Sequence, residues 1–410
     1  MYPFPVKESL LQSRHLSTLV SLIINHPAMR SSDFTTLLSY TPNIEYLELS
    51  PIRKIPMSTI FTLCPKLTHV DLTFFDATTA DNDIYPKDYM QYPAKAASDD
   101  DEEVYPGLRY YSDSHSYFDQ SEYDMILRHQ STLEHVNVGY CHPSTFTPDW
   151  TTFNQCFLPN ITLKHLVLPM YRQQEDSDLQ YHDGYANWLN ACQALVHLEF
   201  TTLWHAFGKS MLQTLQYQLP SLQRIDITLD PSIERESVLF INYMDLLQAL
   251  VLRCDHSDTF NELQICLSGR YNPCNISLIL SSVLKIRSLQ RLTVRAKVYH
   301  YHLEEPNILA FVEELQFSLP RLTHLRLGYI FQLSVNVIHA LATLYWIKSF
   351  AIGDDVINMN EAELLITTMG KNLKHLYFVN CELERDANDM IHLLSLARNY
   401  SVNCLINTCE

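Results

Sequence analysis

The chain is 410 residues long, more than one ordinary compact core accommodates, so it holds either two domains or an elongated array of repeats. With 47% apolar and 18% charged residues it reads as a folded chain, and its eight glycines are few for an architecture built on glycine-rich phosphate loops. A net charge of −17 argues against nucleic acid as the main partner.

The opening stretch MYPFPVKESLLQSRHL shows no cationic-then-apolar leader, and no apolar run reaches the length of a membrane span, so no membrane partner is expected. Ten cysteines are scattered without a C-x-x-C pair. They are expected to be reduced thiols of a cytoplasmic or nuclear protein, with the sequons at Asn160, Asn275 and Asn399 unused.

Along the chain one phrase recurs, L-x-x-L-x-L. It appears as LVSLII (19–24), IEYLEL (44–49) and LTHVDL (67–72), then as LEHVNV (133–138), LKHLVL (163–168) and LVHLEF (195–200). It continues as LQRIDI (222–227), FNELQI (260–265), LQRLTV (289–294), LTHLRL (322–327), IKSFAI (347–352) and LKHLYF (373–378), with a degenerate copy at 402–407. The last four residues of each copy predict a short strand with two apolar residues inward and the alternating residues outward. One such strand cannot bury its apolar face alone, so copies must stack into a continuous core.

Between the strands the pattern predicts helices. SSDFTTLLSY (31–40) opens on Ser/Asp capping chemistry, and EPNILAFVEELQFSL (305–319) carries Pro near its start. SVNVIHALATL (334–344) has helix-spaced apolar residues, and NEAELLITTMG (360–370) runs from Asn to a Gly stop. Strand then helix in each unit predicts an α/β leucine-rich-repeat horseshoe, a solenoid with parallel concave strands and convex helices. Three stretches are expected in one continuous solenoid: repeats over 1–75, an insertion over 76–130, and repeats with a C-terminal cap over 131–410.

The insertion is the longest gap in the repeat. From Asp76 to Asp124 it holds thirteen acidic and three basic residues, a net of −10. Low aliphatic content predicts disorder over most of it. Its tyrosines suit contact with a partner, Ser98 before DDDEE resembles a site for an acidophilic kinase, and YPGLRYYSDS could hide one decayed strand.

On the concave face the first outward slot holds Tyr46, His69, His135, His165, His197 and Arg224, then Glu262, Arg291, His324, Ser349 and His375. The next slot includes Glu48, Asp71, Val167, Glu199, Asp226, Arg326 and Tyr377. Six histidines in one slot raise the question of a metal. A metal needs a convergent donor set and a flat ladder supplies a line, so the expectation is half-packed histidines and no metal or cofactor. Cys254-Asp255-His256 and His300-Tyr301-His302 flank different strands and suggest no site either. The expected partner surface comprises Arg291, Arg295, His324, Arg326, Arg224, His135, His165, His197, Asp71 and Tyr377. Guanidinium forks there would suit an acidic or phosphorylated peptide.

Pairs such as Cys64-Pro65, Leu158-Pro159, Leu219-Pro220 and Leu319-Pro320 precede strands, with Cys192 in a comparable place, while Cys141 and Cys381 follow strand cores. These features resemble the cysteine-containing leucine-rich repeats of F-box proteins from about residue 16 onward. The resemblance implies a substrate-recognition module of a cullin-type ubiquitin ligase adaptor, joined through an F-box to a Skp-type adaptor. Residues 1–15 are too few to hold an F-box, so the alternative is a solitary scaffold or inhibitor unconnected to ubiquitin. No G-x-S-x-G, H-E-x-x-H, Walker or dinucleotide motif is present, and no enzyme is expected.

Overall fold

The computed structural model describes residues 16–25, 31–52, 57–74, 107–113, 120–137, 162–168, 186–200, 209–235, 237–268, 272–296, 303–330, 333–353, 356–379, 382–383 and 387–407. The chain divides into two compact units, 1–199 and 200–410.

In the first unit, β1 (Ser21–Asn25), β2 (Tyr46–Ile52), β3 (His69–Phe74), β4 (Tyr110–Asp113), β5 (His135–Asn137) and β6 (His165–Leu168) pair in sequence order, all parallel. β7 (His197–Phe200) follows. Helices Ser31–Ser39, Met57–Leu63 and Gln120–His129 lie between strands. The register is the one the repeat phrase predicts, with Tyr46 opposite His69 and His135 opposite His165.

One backbone device locks the rungs. The carbonyl just before each strand accepts from two successive N–H groups of the next repeat. Glu45 takes Thr68 and His69, Thr68 takes Arg109 and Tyr110, Arg109 takes Glu134 and His135, and Glu134 takes Lys164 and His165. Alternate strand residues then turn inward and vanish from solvent, as with Leu47 and Leu49, Val70 and Leu72, or Val136. Each such side chain contributes about 1.5–3 kcal/mol of burial, which a lone strand could not realise.

β4 corrects the boundary expected for the insertion. Leu108 and Tyr111 are fully buried, and Tyr111 pairs with Val70 on one side and Val136 on the other. Residues 107–113 are thus a rung of the stack, and the helix Gln120–His129 belongs to the repeat plan as well. The rest of 76–119, including Ser98 and most of the tyrosines, lies outside the described residues.

The second unit repeats the plan with β8 (Arg224–Leu229), β9 (Glu262–Leu267), β10 (Arg291–Ala296), β11 (His324–Gly328), β12 (Ser349–Gly353), β14 (His375–Val379) and β16 (Asn403–Asn407), all parallel. A small second sheet pairs β13 (Val356–Ile357) with β15 (Glu382–Leu383). Its helices are Lys209–Tyr217, Val238–Cys254, Pro273–Val283, Glu305–Ser318, Val335–Ala342, Met359–Met369 and Ala387–Asn399. No helix among the described residues is long and apolar enough to cross a membrane.

Caps fix where these helices begin. Ser237, Asn272 and Ser334 each accept from a first-turn N–H, and Asn358 forms a capping box with Glu361. The cap is thus Asn358 rather than Asn360, which sits inside the helix. The slot before the strand is fully buried whether cysteine or leucine fills it: Cys64, Cys192, Leu219 and Leu319. Cys64 Sγ reaches the Thr41 carbonyl at 3.6 Å, and burial pushes its thiol up to about 11. There the cysteine acts as a small hydrophobe with a weak donor. Cys141, Cys381 and Leu158-Pro159 lie outside the described residues.

Two buried polar residues clasp the second unit. Arg253, 1% exposed, donates from Nη1 to the Leu215 carbonyl at 2.9 Å and from Nη2 to the Leu219 carbonyl. It thereby satisfies the open carbonyl end of the helix Lys209–Tyr217 with a cation. Asn275, fully buried, donates Nδ2 to the carbonyls of Pro231 and Ile233 and accepts at Oδ1 from Arg235. That nitrogen is the one a glycan would need, so this sequon is structurally committed.

If β4 is a rung, Tyr111→Ala should destabilise the protein by about 3–5 kcal/mol, the cost of truncating a buried aromatic. Urea denaturation measures it, and an unchanged midpoint would return residues 107–113 to the status of a loop.

Candidate partner-binding face

The strand positions that do not enter the core form a face in each unit, and the register arranges its side chains in rows. In the second unit the first row runs Arg224, Glu262, Arg291, His324, Ser349, His375. The second row holds Asp226, Gln264, Thr293, Arg326, Ala351, Tyr377, and the third holds Thr228, Cys266, Arg295, Gly328, Gly353, Val379.

Much of the first row's charge is spent internally. Arg224 donates to both carboxylate oxygens of Asp226, at 2.8 and 2.7 Å, a two-point fork. Its remaining nitrogen lies 3.1 Å from Glu262, whose other oxygen is 3.8 Å from Arg291. Arg291 remains 57% exposed, so that last contact is worth little, about 0–1 kcal/mol. His324 is held below its ordinary pKa by burial and then by the positive charge of Arg291, and its Nδ1 lies 2.8 Å from the Thr323 hydroxyl.

Arg295 and Arg326 are different. Both are half-buried, with Nε shielded from solvent and making no hydrogen bond. Neither side chain is in an ion pair with any described residue. Both lie in the outward rows that the repeat phrase assigns them. The phrase could not show that Glu262 occupies Arg224 and Arg291 while these two are left over.

In the first unit the slot is a stack of rings. Tyr46 and His69 lie 5.9 Å apart, His69 and Tyr110 5.9 Å, and Tyr110 and His135 4.1 Å with rings 7° from parallel. The stack continues from His135 to His165 at 4.3 Å, edge-on, and from His165 to His197 at 3.8 Å. The parallel register puts like positions at strand spacing, roughly 4.8 Å, so flat side chains in this slot must stack. Tyr110, the ring that completes the series, comes from a copy with Tyr111 and Asp113 where most others carry aliphatic residues.

The ladder sits in a partly dry setting. Burial, and then the charge of His197, push His135 down to about 4. His129, on the helix Gln120–His129, accepts at Nδ1 from the Leu108 N–H at 3.2 Å and is likewise pushed down to about 4 by burial and Arg128. In the second row Asp71 is raised by burial, which outweighs the hydrogen bond from Ser112. Val167, expected outward, is buried.

One donor set departs from the expected line. His165, His197 and Glu199 each offer a ligand atom, all within 4.8 Å of one another. Glu199 stands two residues past His197 on the same face, which turns a row into a triangle. Two imidazoles and a carboxylate suit zinc or a similar divalent ion. Cys254-Asp255-His256 lies at a helix end, and His300-Tyr301-His302 falls outside the described residues.

The repeat phrase, the parallel register and the helices between strands make each unit a leucine-rich-repeat stack. No protein-family model matches the sequence, and no curated protein matches it either. Among solved structures the chain is similar to one described as the Rad7 and Elc1 complex in yeast, at 13% identity over 84% of this chain and 77% of that one, with TM-score 0.42. It is also similar to one described as the TLR13–ssRNA13 complex, at 13% identity and TM-score 0.33, covering 96% of this chain and 43% of that one. At these scores the likeness supplies no argument for a role, and the fold stands on the strand pairing itself.

The low histidine pKa values fix a pH response. Unfolded, His129 and His135 would take up protons below about 6.5. Folded, they stay neutral down to about 4. Between these values the unfolded chain binds more protons, so stability is full above 6.5 and falls as pH drops towards 4. Asp71, raised in the fold, works in the opposite direction. Comparing urea midpoints from pH 7 to 4.5 for the wild type and His135→Phe isolates the imidazole. The variant keeps the stack and should show a flatter slope, whereas an identical slope would mean His135 titrates as it does in water.

Proposed function

We propose that the protein is a protein-binding module that docks its partner on the helix-free faces, with Arg291, Arg295, His324, Arg326, Arg224 and Tyr377 contributing from the second unit. Asp71, His135, His165 and His197 contribute from the first. The observation that carries this reading is a regular face whose half-exposed side chains vary from rung to rung while the core beneath stays uniform. Such a surface offers many independent contact positions on a rigid frame, which suits recognition better than chemistry.

The cysteine-containing repeats add a finer reading. The module serves as the substrate-recognition part of an F-box-type ubiquitin ligase adaptor in the cytoplasm or nucleus, reaching a Skp-type adaptor through a docking segment. A protein or peptide, acidic or phosphorylated, is the partner class this favours over nucleic acid or membrane. The enzyme's work in that assembly would be done by other chains.

Affinity purification from the native cells, with mass spectrometry, tests both levels. Recovery of a Skp-type adaptor and cullin is expected. A reproducible partner without them would replace the ligase role with that of a solitary scaffold. A triple variant, Gln264→Glu, Thr293→Glu and Tyr377→Glu, alters the face without touching the arginines. It should lose the partner at an unchanged melting temperature, and retention would move the binding surface elsewhere.

A further inference from the structure

Four arginines lie on the second unit's face, and electrostatics sorts them into two pairs. Arg224 and Arg291 share Glu262, with Asp226 completing the neutralisation of Arg224. Arg295 and Arg326 have no carboxylate among the described residues, and each Nε is buried without a hydrogen bond. An Nε–H shielded from water without a partner is costly, and two such arginines on adjacent strands keep their Nη donors for an anion.

The register shows where that anion would sit. Arg295 lies opposite Gly328 on β11, and Gly328 lies opposite Gly353 on β12. Arg326 starts one row earlier, opposite Thr293 and Ala351. Its guanidinium nevertheless reaches the third row, since a Cβ built on Gly353 would stand 3.8 Å from Arg326 Nη2. One cation therefore stands beside Gly328 and the other over Gly353, two neighbouring positions that carry no side chain of their own. Cα atoms of such diagonal neighbours are roughly 8 Å apart from strand spacing and rise, within reach of two arginines closing on one group.

The backbone beside these glycines is also unusual. Tyr329, directly after Gly328, takes φ 52°, a left-handed conformation that a non-glycine residue rarely adopts. Its N–H donates to the Gly353 carbonyl at 3.1 Å, which ties β11 and β12 together there. Strain of this kind is concentrated where a fold holds a site in place.

We infer that Arg295 and Arg326, meeting over the Gly328 and Gly353 backbone, form a phosphate-recognition subsite that reads a phosphorylated serine or threonine of the protein partner. A phosphomonoester carries up to two negative charges near neutral pH and matches two cations, and its oxygens accept from forked guanidinium donors. The subsite rests on the protein-binding reading and adds that the partner must be phosphorylated. It leaves out Arg224, whose guanidinium is held by Asp226 and Glu262, and Arg291, which stands beside the Glu262 carboxylate.

The test uses the full chain and inorganic phosphate, titrated by calorimetry against chloride of equal ionic strength. The wild type should bind phosphate, and Arg295→Gln with Arg326→Gln should weaken it by about tenfold or more, the scale of lost charge-assisted hydrogen bonds. Arg321→Gln, at an exposed arginine paired with Asp258 outside the strand rows, should stay within about twofold. Because the two arginines are unpaired, the double variant should melt in chloride at or above the wild-type temperature, which separates lost binding from lost folding. If all variants bind phosphate equally, or if Asp354 and Asp355, next in sequence after Gly353, make phosphate no better than chloride, the subsite is refuted. Phosphatase treatment of the captured partner supplies the second arm. Release is expected; capture that survives it overturns the phosphate claim and leaves the protein-binding reading standing.

Discussion

The structure depends on one constraint: a strand of four to six residues with two inward apolar side chains cannot exist alone. Each rung is completed only by its neighbour, through a carbonyl that accepts two N–H groups and through side chains that share a buried layer. Everything of functional interest follows from that lock. Because the register cannot slip by one residue without turning every leucine outward, outward residues are held in straight rows. Rings in a row must stack, and charges in a row must either pair or remain unpaired in a known place.

The two units use the same rows for different physics. In the first, aromatic and imidazole rings run from Tyr46 to His197 and exclude water from their own nitrogens, which keeps His135 neutral. In the second, guanidinium and carboxylate groups replace the rings. There the pairing Asp226–Arg224–Glu262–Arg291 uses up local charge, and the small residues Gly328, Ala351 and Gly353 follow in the rows beyond it. The pattern of neutralised and unneutralised arginines, rather than the number of basic residues, marks where a partner's anion would go.

Most of the fold was legible in the sequence because the leucine phrase carries both the strand and its register. Positions such as Ser21, Tyr46 and Arg291 fall in the rows the phrase assigns, whereas the degenerate copy expected at 402–407 is one residue out: Asn403 takes the first outward slot and Leu405 faces solvent. What escaped was whatever depended on neighbours distant in sequence. LRYYSD keeps Leu108 but puts Tyr111 and Asp113 where most other copies carry aliphatic residues, so it read as no more than a decayed strand within an insertion. Nothing in the sequence marks Arg253, whose role rests on contacts with the carbonyls of Leu215 and Leu219 more than thirty residues earlier. The choice of Arg326 over Arg224 required knowing that Glu262 sits between Arg224 and Arg291. Spacing gives rows, but pairing within a row depends on side-chain reach.

The central claim is that recognition happens on the helix-free face of the second unit. Hydrogen–deuterium exchange of the full chain, with and without its captured partner, addresses it most directly. Peptides spanning 291–296, 324–328 and 349–353 should gain protection on binding, while the helices Glu305–Ser318 and Val335–Ala342 should exchange as before. Protection confined to those helices, with the strand peptides unchanged, would place the partner on the opposite side and contradict the account.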